Sequence, residues 1–120
     1  MNDGGRIINV SSGLTRISFA GSSVYASMKG AVEIFTKYLA KELGSRKITA
    51  NTIAPGAIAT DFGGGSNRDN DDKRKIIASI TALGGVGEAE DIGAVVAFLC
   101  SAEAGWINAQ RIEISGGMMV

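Results

Sequence analysis

An alternation of segments constrains this chain most. Arg6-Ile7-Ile8-Asn9-Val10, the run 48–54 (ITANTIA) and the run 110–115 (QRIEIS) are short and rich in β-branched residues, and each stops at a turn containing Gly, Ser or Pro. Helix-period segments lie between them. Apolar runs without strict alternation suit strands covered on both faces. A strand, helix, strand, helices, strand order predicts parallel strands joined by right-handed crossovers, hence an α/β layered chain. Seventeen glycines against one proline agree with this, since tight strand-to-helix turns and close backbone approaches favour glycine. The 120 residues suffice for a single domain, 1–120, with a modest core.

The longest periodic segment runs over about 23–43. Val24, Met28, Ala31, Val32, Phe35, Leu39 and Leu43 recur at spacings of three or four and predict the buried stripe of a helix. Glu33 and Lys37 are placed as a supporting i,i+4 pair on another face, and Gly44 as the stop. Residues 13–23 read as a loop. The stretch 61–75, with Gly63-Gly64-Gly65 and many polar residues, reads as flexible, and a short helix is expected over about 73–83. A further helix is expected over about 89–101, with Ile92, Val95, Val96 and Leu99 inward. Glu88, Glu90 and Asp91 would favour its positive N-terminal end.

Composition removes several kinds of chemistry. Histidine is absent, which excludes histidine bases, Ser-His-Asp and Cys-His systems and histidine metal ligands. Cys100 is the only cysteine, so no intrachain disulfide or thiolate cage forms; no metal site is expected, and a reducing, cytoplasmic setting is the simpler reading. Twelve basic and twelve acidic residues give zero formal charge, which argues against nucleic acid or anionic lipid as a partner. Charged residues interrupt every apolar run well short of a membrane span, and the N-terminal MNDGGR lacks the apolar core of a signal peptide.

Tyr25 and Lys29 stand four apart at the start of the long helix and share a face. A free phenol keeps its proton at neutral pH; a fixed ammonium nearby favours the phenolate and makes tyrosine a usable acid/base. Two amphipathic residues on a solvated face give the same pattern. Ser12 adds to it: it ends the first strand thirteen residues earlier, where a hydroxyl can hold a substrate oxygen. Ser11 and Ser12 are equally turn or cap residues, and along a continuing strand only one of them can face such a site.

At these residues the chain resembles the short-chain dehydrogenase/reductase family, and the resemblance runs in order through nearly all 120 residues. GRIINVSS looks like the strand carrying the family's catalytic serine, at Ser12. Tyr25-Ala26-Ser27-Met28-Lys29 looks like its Tyr-x-x-x-Lys signature. Asn51-Thr52-Ile53-Ala54-Pro55-Gly56 and the following Ala57-Ile58-Ala59-Thr60 are similar to its nicotinamide-side loop, and Gly87-Glu88-Ala89-Glu90-Asp91-Ile92 and Ile114-Ser115-Gly116-Gly117 to its late helix start and last strand. The resemblance implies NAD- or NADP-dependent carbonyl reduction or alcohol oxidation on a small molecule. Tyr25 would transfer the proton. Lys29 would assist it and hold the nicotinamide ribose, and Ser12 would orient the oxyanion. Pro55 and Gly56 would wall the nicotinamide pocket, with the Ile58 backbone and Thr60 meeting that end of the cofactor. The region 61–83 would be the flexible substrate loop.

There are departures. Met28 is bulkier than the family's usual small residue, and Ser115 stands where Asp or Asn is common. Family members are about twice as long, with a glycine-rich turn for the pyrophosphate in their first half. The nearest candidate here, Gly85-Val86-Gly87-Glu88-Ala89-Glu90, has Glu where a third Gly or Ala is needed and follows no apolar strand. The family's supporting asparagine is also missing, because neither Asn2 nor Asn9 fits its position. The expectation is therefore half of a doubly wound, Rossmann-type parallel sheet of about three strands with flanking helices, lacking the N-terminal dinucleotide-binding half. Its uncovered edge and seam predict self-association, a homo-oligomer or poor solubility. Three functions stay open: the catalytic half of an oxidoreductase, a truncated non-catalytic fragment or self-associating scaffold, and a small ligand-binding α/β domain.

Overall fold

The computed structural model describes residues 1–120. Strand β1 (Arg6–Val10) leads through a 3-10 turn (Gly13–Thr15) to helix α1 (Ser23–Glu42), and a second turn (Gly44–Arg46) leads to β2 (Thr49–Pro55). A turn at Phe62–Gly65, a four-residue helix α2 (Ser66–Asp69), α3 (Asp71–Ser79) and α4 (Ala89–Cys100) precede β3 (Arg111–Ile114). The strands form one parallel sheet in the order β1-β2-β3, with Ile8 opposite Asn51 and Ile53 opposite Ile112. This is the α/β arrangement expected from the sequence.

Side chains alternate across the sheet and so divide it between two helix layers. Ile8, Ile53, Ile112 and Ile114 pack with Ile92, Val95, Val96 and Leu99 of α4, so the inward side of that helix is the one its spacing predicted. Leu99 is 1% exposed, and burying such a side chain contributes about 2–3 kcal/mol. The N-terminus of α4 carries a reciprocal capping box between Glu88 and Asp91. Asn9 and Thr52 point to the opposite face, toward α1, where Asn9 Nδ2 donates to Thr36 Oγ1 at 2.9 Å.

Helix α1 corrects the sequence reading in two ways. Its buried positions are Thr36 and Ala40, while Val24, Met28 and Phe35 of the expected stripe are 73%, 67% and 59% exposed. Small residues let the helix approach β2 closely, and the Thr36 hydroxyl is satisfied by Asn9 and the Val32 carbonyl. Val24, Met28 and Phe35 therefore form an outward stripe, while Val32, Leu39 and Leu43 stay half-buried. Glu33 pairs with Arg111 of β3 instead of Lys37, because it faces the sheet end rather than water. The helix ends at Glu42 with Leu43 as its C-cap, so Gly44 stands just past the stop as expected, and the left-handed backbone falls later, at Lys47 (φ 57°).

The segment 61–75 is partly helical, and α3 begins and ends earlier than the expected 73–83. Asn70 caps it by accepting from the Lys73 N–H, and it stops at Ser79, whose hydroxyl turns back onto the Ile76 carbonyl. Beyond it, Thr81 bridges antiparallel to Met118, so the C-terminal segment lies along 80–83. Only 18 residues are buried, and the radius of gyration is 15.4 Å against about 13.6 Å for a compact chain of this length. The outer edge of β1 has no strand beside it.

Candidate active site

The C-terminal ends of β1 and β2 open into a cleft of about 710 Å³. All seven residues singled out in the sequence line it: Ser12, Tyr25, Lys29, Pro55, Gly56, Ile58 and Thr60. The fold brings them together because parallel strands release their chains at the same end of the sheet. α1 starts above that end and carries Tyr25 and Lys29 on its first turns.

Ser11 and Ser12 both reach the cleft but differ in what their hydroxyls bond. Ser11 is buried at the wall of the cleft, and its hydroxyl is taken up by Glu33 Oε1, to which it donates at 2.7 Å. Ser12 lines the cleft and caps the 3-10 turn, its Oγ accepting from the Leu14 N–H at 3.2 Å. That bond uses a lone pair and leaves the hydroxyl proton free to donate to a bound oxygen.

Lys29 Nζ donates to the Val10 carbonyl at 2.9 Å and stands 5.7 Å from the centre of the Tyr25 ring. One ammonium thus fixes helix to strand and places positive charge beside the phenol. The Phe62 ring flanks Tyr25 at 6.3 Å between centroids, tilted by 48°.

The apolar residues of the remaining wall were not named individually in the sequence reading, although four of them lie in the region 61–83 expected to be the substrate loop. Leu14, Phe19, Phe62, Ile76, Ile77 and Ile80 give the cleft an apolar side. The i, i+1, i+4 spacing of the three isoleucines was the available signal, hidden by the polar stretch before them.

Two glycines mark close approaches at the cleft. A Cβ on Gly56 would lie 2.7 Å from Ser115 Cβ, and one on Gly87 would lie 2.7 Å from Ile58 Cδ1. Gly87 therefore makes room for Ile58 rather than for a phosphate, and the acidic Glu88, Glu90 and Asp91 at the start of α4 disfavour an anion there. Ile58 and Gly87 pair through the Ala57 carbonyl and the Ala59 N–H, so the Ile58 N–H is not used in that bridge.

Beneath Ser12 lies a charged cluster that no spacing predicted. Glu113 holds Arg16 at 2.7 Å and Arg111 at 3.2 Å, and Arg111 also reaches Glu33 at 2.8 Å. The Arg16 hydrogen bond is the main cause that holds the Glu113 carboxyl down to about 2; Ser115 and Arg111 add to it against the opposing effect of burial. For Glu33 burial is the largest influence and acts upward, but hydrogen bonds from Thr15, Ser11 and Arg111 together bring it below the usual carboxylate range. No group of His, Cys, Asp and Glu suited to a metal ion is present, and no helix is long and apolar enough to cross a membrane.

Comparison with known proteins places this chain in a family. The family model described as enoyl-(acyl carrier protein) reductase matches residues 1–119, and the chain belongs to the short-chain dehydrogenase/reductases. It is 41% identical over 114 residues to a 3-oxoacyl-(acyl-carrier-protein) reductase, FabG, of Vibrio harveyi, covering 95% of this chain and 46% of that protein. It is 44% identical over 115 residues to an NADPH-dependent aldehyde reductase-like chloroplast protein of Arabidopsis thaliana, covering 95% of this chain and 42% of the relative. Among solved structures, the keto-reducing LugOII of lugdunomycin biosynthesis superposes with a TM-score of 0.91 at 42% identity, over 100% of this chain and 46% of the other. The angucycline C-6 ketoreductase LanV, solved with NADP bound, gives 0.89 at 41% identity, over 99% of this chain and 45% of the other. The chain thus spans about half the length of these relatives, and its sheet matches part of their Rossmann-type fold.

Proposed function

We propose that this chain forms the nicotinamide-side, substrate-binding half of an NAD(P)-dependent reductase that converts a small ketone or aldehyde to its alcohol. The observation that carries the proposal is the convergence of Ser12, Tyr25 and Lys29 with Pro55, Gly56, Ile58 and Thr60 around one cleft. These residues suit the nicotinamide end of the cofactor. The Ile58 N–H outside the bridge matches a carboxamide acceptor, Pro55 and Gly56 offer a wall without long side chains, and the Lys29 ammonium suits ribose hydroxyls. The bound nicotinamide supplies the hydride.

The chain's own residues do the rest. Ser12 donates its free hydroxyl proton as a hydrogen bond to the substrate oxygen and stabilises the negative charge that develops there. Tyr25 gives that oxygen its phenolic proton, and Lys29 stabilises the phenolate left behind. Phe62, Ile76 and Ile80 line the same space and favour an apolar body on the carbonyl compound. LanV has also been solved with NADP and rabelomycin, and NADP bound to LanV makes NADPH the first cofactor to try. The outward apolar stripe of α1 and the open edge of β1 favour association with a further copy, and the region 61–83 serves as the substrate loop.

Titrating NADPH and NADH into the protein while following nucleotide fluorescence, then adding aromatic ketones, tests this reading. Saturable binding and ketone-dependent nucleotide oxidation are expected from the protein with any flanking sequence kept. Binding and oxidation both absent from that protein would favour a non-catalytic fragment or scaffold.

A further inference from the structure

The charged cluster beneath Ser12 has no part in the proton transfer just described, yet it touches the serine's own backbone. Arg111 Nη2 donates to the Ser12 carbonyl at 3.2 Å, and the Thr15 N–H donates to the same oxygen at 3.2 Å. Glu33 Oε1 accepts from Ser11 Oγ at 2.7 Å, Thr15 Oγ1 at 2.6 Å and Arg111 Nε at 2.8 Å. Thr15 has a single hydroxyl proton. The nearer, charged Glu33 oxygen takes it in preference to the Ser12 carbonyl at 3.1 Å, while the Thr15 oxygen accepts from Arg111 Nη2 at 3.0 Å.

These bonds join three parts of the fold at one carboxylate oxygen. Glu33 is one turn beyond Lys29 and two beyond Tyr25 on α1, Ser11 and Thr15 flank Ser12, and Arg111 belongs to β3. The side chains of Glu33, Arg111 and Glu113 are 16%, 23% and 17% exposed, so water competes weakly for the bonds. With Arg16 the cluster holds two positive and two negative charges, so it orders the strand end without adding a net charge beside the cleft.

We propose that Glu33, Thr15 and Arg111 are positioning residues that fix the Ser12 hydroxyl relative to Tyr25. They do so by tying the strand end that carries Ser12 to the helix that carries Tyr25 and Lys29. The proposal rests on the functional reading above, in which Ser12 acts on the substrate oxygen.

A double-mutant cycle tests it, with Arg111→Met and Thr15→Val each made in the parent and in a Ser12→Ala background, any flanking sequence kept. In the parent, each substitution is expected to lower kcat for NADPH-dependent ketone reduction about tenfold, with KM for the nucleotide within about twofold. In the Ser12→Ala background the same substitution should change kcat by less than about twofold, because the group it positions has gone. A purely structural role would lower kcat by the same factor in both backgrounds, and such additivity overturns the proposal. So does full activity in both Thr15→Val and Arg111→Met. Thr15→Val removes a hydroxyl at nearly constant shape and keeps the test readable if Arg111→Met does not fold. Full turnover in Ser12→Ala alone would instead break the functional reading and this proposal with it, whereas an inactive Ser12→Ala with an additive cycle breaks only the proposal.

Discussion

Lys29 Nζ hydrogen-bonds the Val10 carbonyl at 2.9 Å while standing 5.7 Å from the centre of the Tyr25 ring. The bond joins the start of α1 to the end of β1, two residues before Ser12. Lys29→Met should therefore reduce ketone turnover by about 100-fold or more and cost about 1 kcal/mol of stability. Steady-state kinetics and urea unfolding on the same preparation separate the two effects.

Gly56 meets Ser115 so closely that a Cβ would lie 2.7 Å from the Ser115 Cβ and 2.8 Å from its Cα. The backbone on each side is held, since the Gly56 N–H bonds the Ile114 carbonyl at 2.9 Å. Gly56→Ala should cost about 1–3 kcal/mol, read from its urea midpoint. Gly30, inside α1 with nothing within 4 Å, is the control: Gly30→Ala should stabilise by about 0.5–1 kcal/mol.

Glu113 links the fold to acid. Its carboxyl lies at about 2, mainly through Arg16, against an ordinary 4.5. A group lowered in the folded state stabilises fully above its unfolded value and loses that contribution as pH falls toward its folded value. Stability should therefore decline between about pH 4.5 and 2, and Glu33, also lowered, adds in the same direction. Glu113→Gln should flatten the slope of unfolding free energy across that window, measured by urea titrations followed by circular dichroism.

The outward stripe of α1 predicts association. Val24, Met28, Phe35 and Tyr38 are all more than half exposed along one helix face. Light scattering over a dilution series should show mass rising with concentration, and Phe35→Glu should move that rise to concentrations at least about tenfold higher. Concentration-independent monomers of the parent would remove the oligomer from the account.

The strands and the two longer helices were legible because residue type and spacing act locally. The capping acids of α4 and the inward Leu99 follow from a dozen neighbouring letters. The burial of α1 was not legible: hydropathy ranks Phe35 above Thr36, but the sheet accepts Thr36 because Asn9 satisfies its hydroxyl. The start of α3 was available in Asn70 followed by Asp71 and Asp72, a capping signal masked by the surrounding polar run. At the site, Tyr25 and Lys29 stood out from one helical turn and Ser12 from its place at the strand end, and the family pattern chose Ser12 over Ser11. The cluster of Glu33, Arg111 and Glu113 was not, since Glu33 and Arg111 are 78 residues apart and meet only when β3 joins the sheet.

The central claim is that Tyr25 delivers the proton to the substrate oxygen, and Tyr25→Phe tests it most directly. Removing one oxygen should lower kcat for ketone reduction by about 1,000-fold while leaving NADPH affinity within about threefold, both measured in the protein with any flanking sequence kept. A Tyr25→Phe protein that turns over ketone within about threefold of the parent would contradict the account.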